Sequence, residues 1–166
     1  MKKIFAFMLA LSLLLCLTAC DTPESPQPSN DPVQDSFSFT YKETKIALNA
    51  PAEAIIAALG EPSSYDESTS CAFEGLDKVY GYPSIYIQTY PLCGKDYIYG
   101  FWFVDDLVAN DEGLFIGASL ADVQALYGTD GYNGTDTYQI KKGSGALTIL
   151  LENDVVTSIQ YAILAT

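Results

Sequence analysis

Ile116-Gly117-Ala118-Ser119-Leu120-Ala121-Asp122-Val123-Gln124-Ala125-Leu126-Tyr127-Gly128 has a near twin 68 positions earlier, Leu48-Asn49-Ala50-Pro51-Ala52-Glu53-Ala54-Ile55-Ile56-Ala57-Ala58-Leu59-Gly60. The two align without gaps. Ser119, with Asp122 three residues on, has the spacing of a capping box. In the earlier copy Pro51 suits a first helical turn, where its missing N–H costs nothing. Apolar residues then recur at helical spacing: Ala52, Ile55, Ile56 and Leu59 in one copy, Leu120, Val123, Leu126 and Tyr127 in the other. Each copy stops at a glycine, the usual residue just past a helix C-terminus. Helices this short do not stand alone and need a surface to pack on.

The segments after each helix supply that surface. After the second come Thr137–Lys142, a Gly143-Ser144-Gly145 turn, Ala146–Glu152, an Asn153-Asp154 turn and Val155–Ile163. These are three strands with hairpin signals between them. After the first come Lys78–Tyr82, a break at Pro83-Ser84, Ile85–Tyr90, a turn around Cys93-Gly94-Lys95, and Asp96–Val104. Phe37, Phe39 and Tyr41 alternate with Ser38 and Thr40, which suits a leading strand. The pattern predicts an α+β fold of two tandem units, 37–110 and 111–166. Each is a short helix followed by a three-stranded antiparallel meander, with the helices on one face of the sheet.

The duplicated helix motif, clearest from Ser119 to Gly128, and its following meander resemble the β-lactamase inhibitory protein fold. Per repeat, they are also similar to the small lipoprotein subunit of the outer-membrane barrel-assembly machine. In the first copy Pro51 and Ala54 stand in the capping slots and depart from the motif. The domain, with its stretch Ser70–Lys78, also resembles lipoproteins of gut Firmicutes. These resemblances imply an architecture and an address; contact residues do not carry over from them.

The N-terminus gives the address more directly. Met1-Lys2-Lys3 is a short positive segment, and Ile4–Leu17 is an apolar run short of the roughly 20 residues a membrane helix needs. Leu17-Thr18-Ala19-Cys20 comes next and resembles a bacterial lipobox. That resemblance implies a signal peptide over 1–19 and a diacylated Cys20 as the first mature residue. Two acyl chains make a stable membrane anchor. The expected location is extracytoplasmic, on the outer face of the cell membrane. Asp21–Ser36 holds Pro23, Pro26, Pro28 and Pro32 among polar residues and no aromatic, so 20–36 reads as an extended spacer.

Composition narrows the function. The chain of 166 residues carries 8 Lys+Arg, all of them Lys, against 21 Asp+Glu and no His, for a net charge of -13. Without His there is no Ser-His-Asp or Cys-His nucleophile and no imidazole ligand for zinc or copper. Without Arg there is no guanidinium clamp for phosphate. The acidity opposes nucleic acid, whose binding rests on neutralising phosphates. An enzyme is therefore not expected, and neither is a cofactor or a metal. Asp105, Asp106, Asp111 and Glu112 do not match the order of a calcium loop and read as a solvated acidic linker.

Two groups of residues remain. Cys71 and Cys93 fall at the same end of the expected meander, which favours a disulfide between them; two reduced thiols or a redox pair are the alternatives. Tyr80, Tyr82, Tyr86, Tyr90, Tyr97, Tyr99 and Trp102 crowd one stretch of strands. Strict alternation puts Tyr97 and Tyr99 on one face with Phe101 and Phe103, and Ile98 on the other with Trp102. Tyrosine and tryptophan supply stiff contact area with a polar tip, so these residues are the candidate partner-binding surface. The expected function is an anchored module that binds an extracytoplasmic protein, a cell-wall component or a ligand. An inhibitor of an extracellular enzyme and a structural envelope component are the alternatives.

Overall fold

The computed structural model describes residues 36–164. The expected signal peptide over 1–19, Cys20 and the expected spacer up to residue 35 lie outside them. The chain runs β1 (Ser38–Tyr41), β2 (Thr44–Ala47), α1 (Ala52–Leu59), β3 (Ser64–Thr69), β4 (Leu76–Tyr82), β5 (Ile85–Leu92), β6 (Lys95–Phe103), α2 (Leu120–Tyr127), β7 (Thr137–Lys142), β8 (Gly145–Glu152) and β9 (Val155–Ile163). Strands β3 to β9 form one seven-stranded antiparallel sheet in the order β3-β4-β5-β6-β9-β8-β7, and β1-β2 form a separate hairpin.

This corrects the expected α+β fold of two helix-plus-three-strand units. The described residues are mostly strand, with nine strands against two eight-residue helices. Four strands, not three, come after α1, and the two runs of strands merge into one sheet. The reasons are physical. All six residues of β3, Ser-Tyr-Asp-Glu-Ser-Thr, are exposed. An edge strand buried on neither face has no apolar alternation to betray it. The merger rests on β6 and β9 pairing over Gly100–Trp102 and Gln160–Ala162, a contact between distant segments that no local pattern encodes.

Local chemistry sets the elements. At α2 the Ser119 hydroxyl accepts from the Asp122 N–H at 3.2 Å, and the Asp122 carboxylate accepts from the Ser119 N–H at 2.9 Å. The Ser119 hydroxyl donates to the same carboxylate at 2.6 Å, and this bond, with the one from the Ser119 N–H, holds the Asp122 carboxyl below its usual pKa. Pro51 caps α1 without a side-chain bond, and the N–H groups of Gly60 and Gly128 close the two helices onto Ala57 and Gln124. Lys42-Glu43, Cys93-Gly94 and Asn153-Asp154 each have both residues at positive φ, the backbone of a tight two-residue hairpin turn.

The core lies on one face of the sheet. Ile85, Ile87, Phe101, Ile149 and Ile159 are fully buried there. Phe39 of β1 packs 4.9 Å from Phe103 and 5.9 Å from Phe101. Both helices join the same cluster, with Ile55, Ile56, Leu120 and Tyr127 against it. The hydroxyls of Tyr82 and Tyr138 donate to the carbonyls of Gly60 and Gly128, tying each helix end to the sheet. Asn110 is the polar hub: its amide donates to the hydroxyls of Tyr127 and Tyr161 at 2.7 and 2.8 Å, and its oxygen accepts from the Leu114 N–H.

The two sheet edges differ. The β7 edge is covered by the preceding loop, where the Gln139 N–H donates to the Gly131 carbonyl and the Asn133 N–H to that of Thr137. The β3 edge is bare among the described residues and carries Asp66 and Glu67 side by side. Charges on an edge discourage strands of another chain from pairing with it.

Candidate binding face

Successive residues of a strand point to opposite faces. The residues alternating with the core therefore define a second face; both helices and the β1-β2 hairpin pack on the core side, and only the β3–β4 loop reaches over one end of it, at Tyr90. Pairing registers trace one row across all seven strands: Ser64, Gly81, Tyr86, Trp102, Gln160, Thr148 and Gln139. The next row holds Asp66, Val79, Gln88, Gly100, Ala162, Ala146 and Lys141. The first row contains no formal charge. The second has one only at each end, on opposite sides of the sheet.

Tyr86 and Trp102 are the aromatic centre. Both are half-buried, with centroids 5.5 Å apart and planes within 20°. Gly81 makes room for them: a β-carbon there would sit 2.7 Å from Tyr86 Cε1. Beside the rings stand amides and hydroxyls. The Gln139 amide donates to Thr148 Oγ1 at 3.3 Å, and the Gln160 amide to Ser158 Oγ at 3.2 Å. Gly100 of the second row is required by the sheet itself, since a β-carbon there would come 2.5 Å from the Tyr161 carbonyl oxygen. With Ala162 and Ala146 it makes a low strip alongside the aromatic row.

The seven aromatic candidates divide between environments. Tyr86 and Trp102 are on the open face. Tyr80 and Tyr82 are on the covered side, Tyr82 buried with its hydroxyl on Gly60 and Tyr80 packed 5.2 Å from Tyr65. Burial pushes the pKa of both hydroxyls up. Tyr90 belongs to the open side of β5, but it is buried: Phe73 of the β3–β4 loop covers it at 4.9 Å, and its hydroxyl is held by Asn49. Tyr97 packs against Tyr90 at 5.9 Å, and Tyr99 meets it edge-on at 6.4 Å. Strict alternation fails along β6 because Gln88 pairs with Gly100 while Thr89 pairs with Ile98. Tyr99 is the extra, bulged residue, so Ile98 turns into the core beside Phe101. The Asn49 N–H and the Ala50 carbonyl bond Ile98 and seat the start of α1 there.

Cys71 and Cys93 are exposed and not bonded to each other, one in the β3–β4 loop and one in the β5–β6 turn, at the same end of the sheet. The acidic stretch before α2 is structural. Asp111 accepts from the Thr40 N–H, Asp105 from Ser84 and the Leu107 N–H, and Glu112 from the Tyr127 hydroxyl. Among the described residues no group of three or more Cys, Asp or Glu is placed to hold a metal ion. No described helix is long and apolar enough to cross a membrane.

Gln88, Gln139, Thr148 and Gln160 join the face without having stood out in the sequence. Alternation within β7, β8 and β9 marks the last three as outward-facing, yet only the pairing order brings them into line with Trp102. Comparison with protein-family models, with curated proteins and with solved structures finds no match to this chain.

Proposed function

We propose that this chain is a lipoprotein, anchored through Cys20 on the outer face of the cell membrane, that works as a non-catalytic binding module. Its ligand sits on the open face of the seven-stranded sheet. The observation that carries the reading is the half-exposed Tyr86–Trp102 pair on a face that neither the helices nor the β1-β2 hairpin covers. A stacked ring pair left partly exposed, on the side of the sheet away from the core, supports a contact role. The mechanism is surface complementarity, with rings supplying contact area and neighbouring amides fixing orientation. The lipobox and the proline-rich 20–36 spacer support the anchor and hold the module off an anionic surface that its charge opposes.

The test is photo-crosslinking in cells of the native host, with a photoreactive residue in place of Gln160 or, as a control, of Ala57 on the exposed side of α1. The Gln160 probe should give an adduct that disappears when Trp102→Ala is added, in cells where the protein still partitions with membranes. Adducts from Ala57 alone would move the contact to the helical side. An adduct that is an extracellular enzyme would turn the module into an inhibitor.

A further inference from the structure

We infer that the ligand of this face is a neutral glycan chain lying across the strands, along Tyr86, Trp102, Gln160, Thr148 and Gln139; this deepens the binding-face reading above and rests on it. A pyranose ring has two kinds of surface. Its C–H face is apolar and packs flat on an aromatic ring. Its rim carries hydroxyls, each of which needs both a donor and an acceptor. The row offers these in sequence. The stacked rings of Tyr86 and Trp102 come first, with centroids 5.5 Å apart, and a sugar would pack on an outer face of the pair. Gln160, Thr148 and Gln139 come after them, each carrying donor and acceptor atoms, and Gln88 stands in the adjoining row. From β5 to β7 the row crosses four inter-strand gaps, about 19 Å in all. That length suits a short oligosaccharide segment better than a single sugar.

Charge separates this ligand from the others. The row is uncharged on a molecule of net charge -13, so a polyanion is repelled at long range and finds no cation where it would land. A basic peptide would look for carboxylates, yet Asp66 and Asp77 stand at the β3–β4 end, away from the rings. An extended peptide gains affinity by pairing its backbone with a sheet edge, and this surface is a face whose backbone groups are already paired. A protein partner needs a hydrophobic centre with a polar rim. Here Gln88, Gln160 and Gly100 border the ring pair, and the apolar side chains of the face, Val79, Leu150 and Tyr97, are spread apart from it and do not form one centre.

The inference is tested with the full chain in detergent micelles on an array of neutral and anionic oligosaccharides. Hits are taken on to gel retardation in the matching soluble polysaccharide and to fluorescence of Trp102, the one tryptophan of the chain. At least one neutral glycan should retard the protein and shift the Trp102 emission, with little dependence on salt. Trp102→Ala and Tyr86→Ala should weaken retardation by more than tenfold, and Gln160→Ala or Gln139→Ala several-fold. Tyr65→Ala, on the covered side at the β3 edge, should leave it unchanged. Absence of any neutral glycan on the array overturns the inference. So does binding confined to anionic glycans and lost in salt. If the array is empty while the Gln160 crosslink survives and depends on Trp102, the face binds a protein, and only the glycan class falls. Sedimentation as a dimer that Lys141→Asp dissociates would make a second copy the occupant, since Lys141 and Asp66 at opposite ends of one row can pair across a two-fold axis.

Discussion

Asn110 joins the segment before α2 to both α2 and β9, and nothing near it in sequence shows why. It sits 5% exposed in a stretch whose carboxylates draw the eye, while its partners Tyr127 and Tyr161 lie 17 and 51 positions away. A buried amide can fill its hydrogen-bonding capacity only if distant elements arrive together, so it locks the linker between β6 and α2 onto both α2 and β9. Asn110→Ala leaves the Tyr161 hydroxyl and the Leu114 N–H without that partner, at a cost of about 2–3 kcal/mol. A drop in the urea midpoint at neutral pH should report it. The same network sets an alkaline limit. Burial pushes the Tyr127 hydroxyl up to about 12 and raises that of Tyr161 further. A folded-state pKa above the unfolded one gives stability that is complete below about pH 10 and lost as pH climbs through the folded value. The urea midpoint should therefore fall between about pH 10 and 12. Tyr127→Phe should flatten part of that fall, which separates it from lysine deprotonation. A midpoint that falls as steeply in Tyr127→Phe as in the unaltered protein would mean that this hydroxyl does not set the limit.

Among elements, legibility tracks burial and turn chemistry. The capping box of α2 and the strand runs of β4 to β9 are readable because one buried face imposes a period of two and the hairpins carry turn residues. Strand β3 has no such face. The bulge at Tyr99 is hidden because it arises from a mismatch with β5, not from β6 alone. The β5–β6 turn departs from turn chemistry in a useful way. Cys93 holds φ 50 ahead of Gly94 at φ 73, a position that suits asparagine and costs other residues about 1 kcal/mol or more. Cys93→Asn should thus stabilise the reduced protein by up to about 1 kcal/mol. The proposed Cys71–Cys93 disulfide reverses the sign. Phe73 on Tyr90 already folds the β3–β4 loop toward this turn. Closing the loop between the two cysteines would contribute roughly 3 kcal/mol that the substitution forfeits. Urea midpoints of both proteins, with and without reductant, decide it. Stabilisation under both conditions would leave Cys71 and Cys93 as separate thiols.

At the scale of the whole molecule, the repeated helix motif suggests two halves, but the packing makes their stability common property. Segments 37–110 and 111–166 meet in the sheet through three residue pairs of β6 and β9, a seam too short to couple much by backbone bonding. The side chains around it couple far more. Phe101 lies 4.7 Å from Tyr161, Phe37 packs on Tyr161 from the opposite half, and Phe39, Phe103 and Leu147 belong to the same buried cluster. Splitting the halves would expose about five large side chains at ~2 kcal/mol each, or ~10 kcal/mol. A domain of this size has about 5–15 kcal/mol in total. Neither half keeps enough to stand alone, so unfolding should be one transition. Hydrogen exchange read by mass spectrometry across a urea series should lose protection in β5 and in β8 at the same midpoint, and Trp102 fluorescence at the seam should agree with both. Two separated midpoints would mean that the halves fold independently. The rows crossing the open face would then be assembled after folding, and the Tyr86–Trp102 end and the Gln139 end could not act as one preformed site.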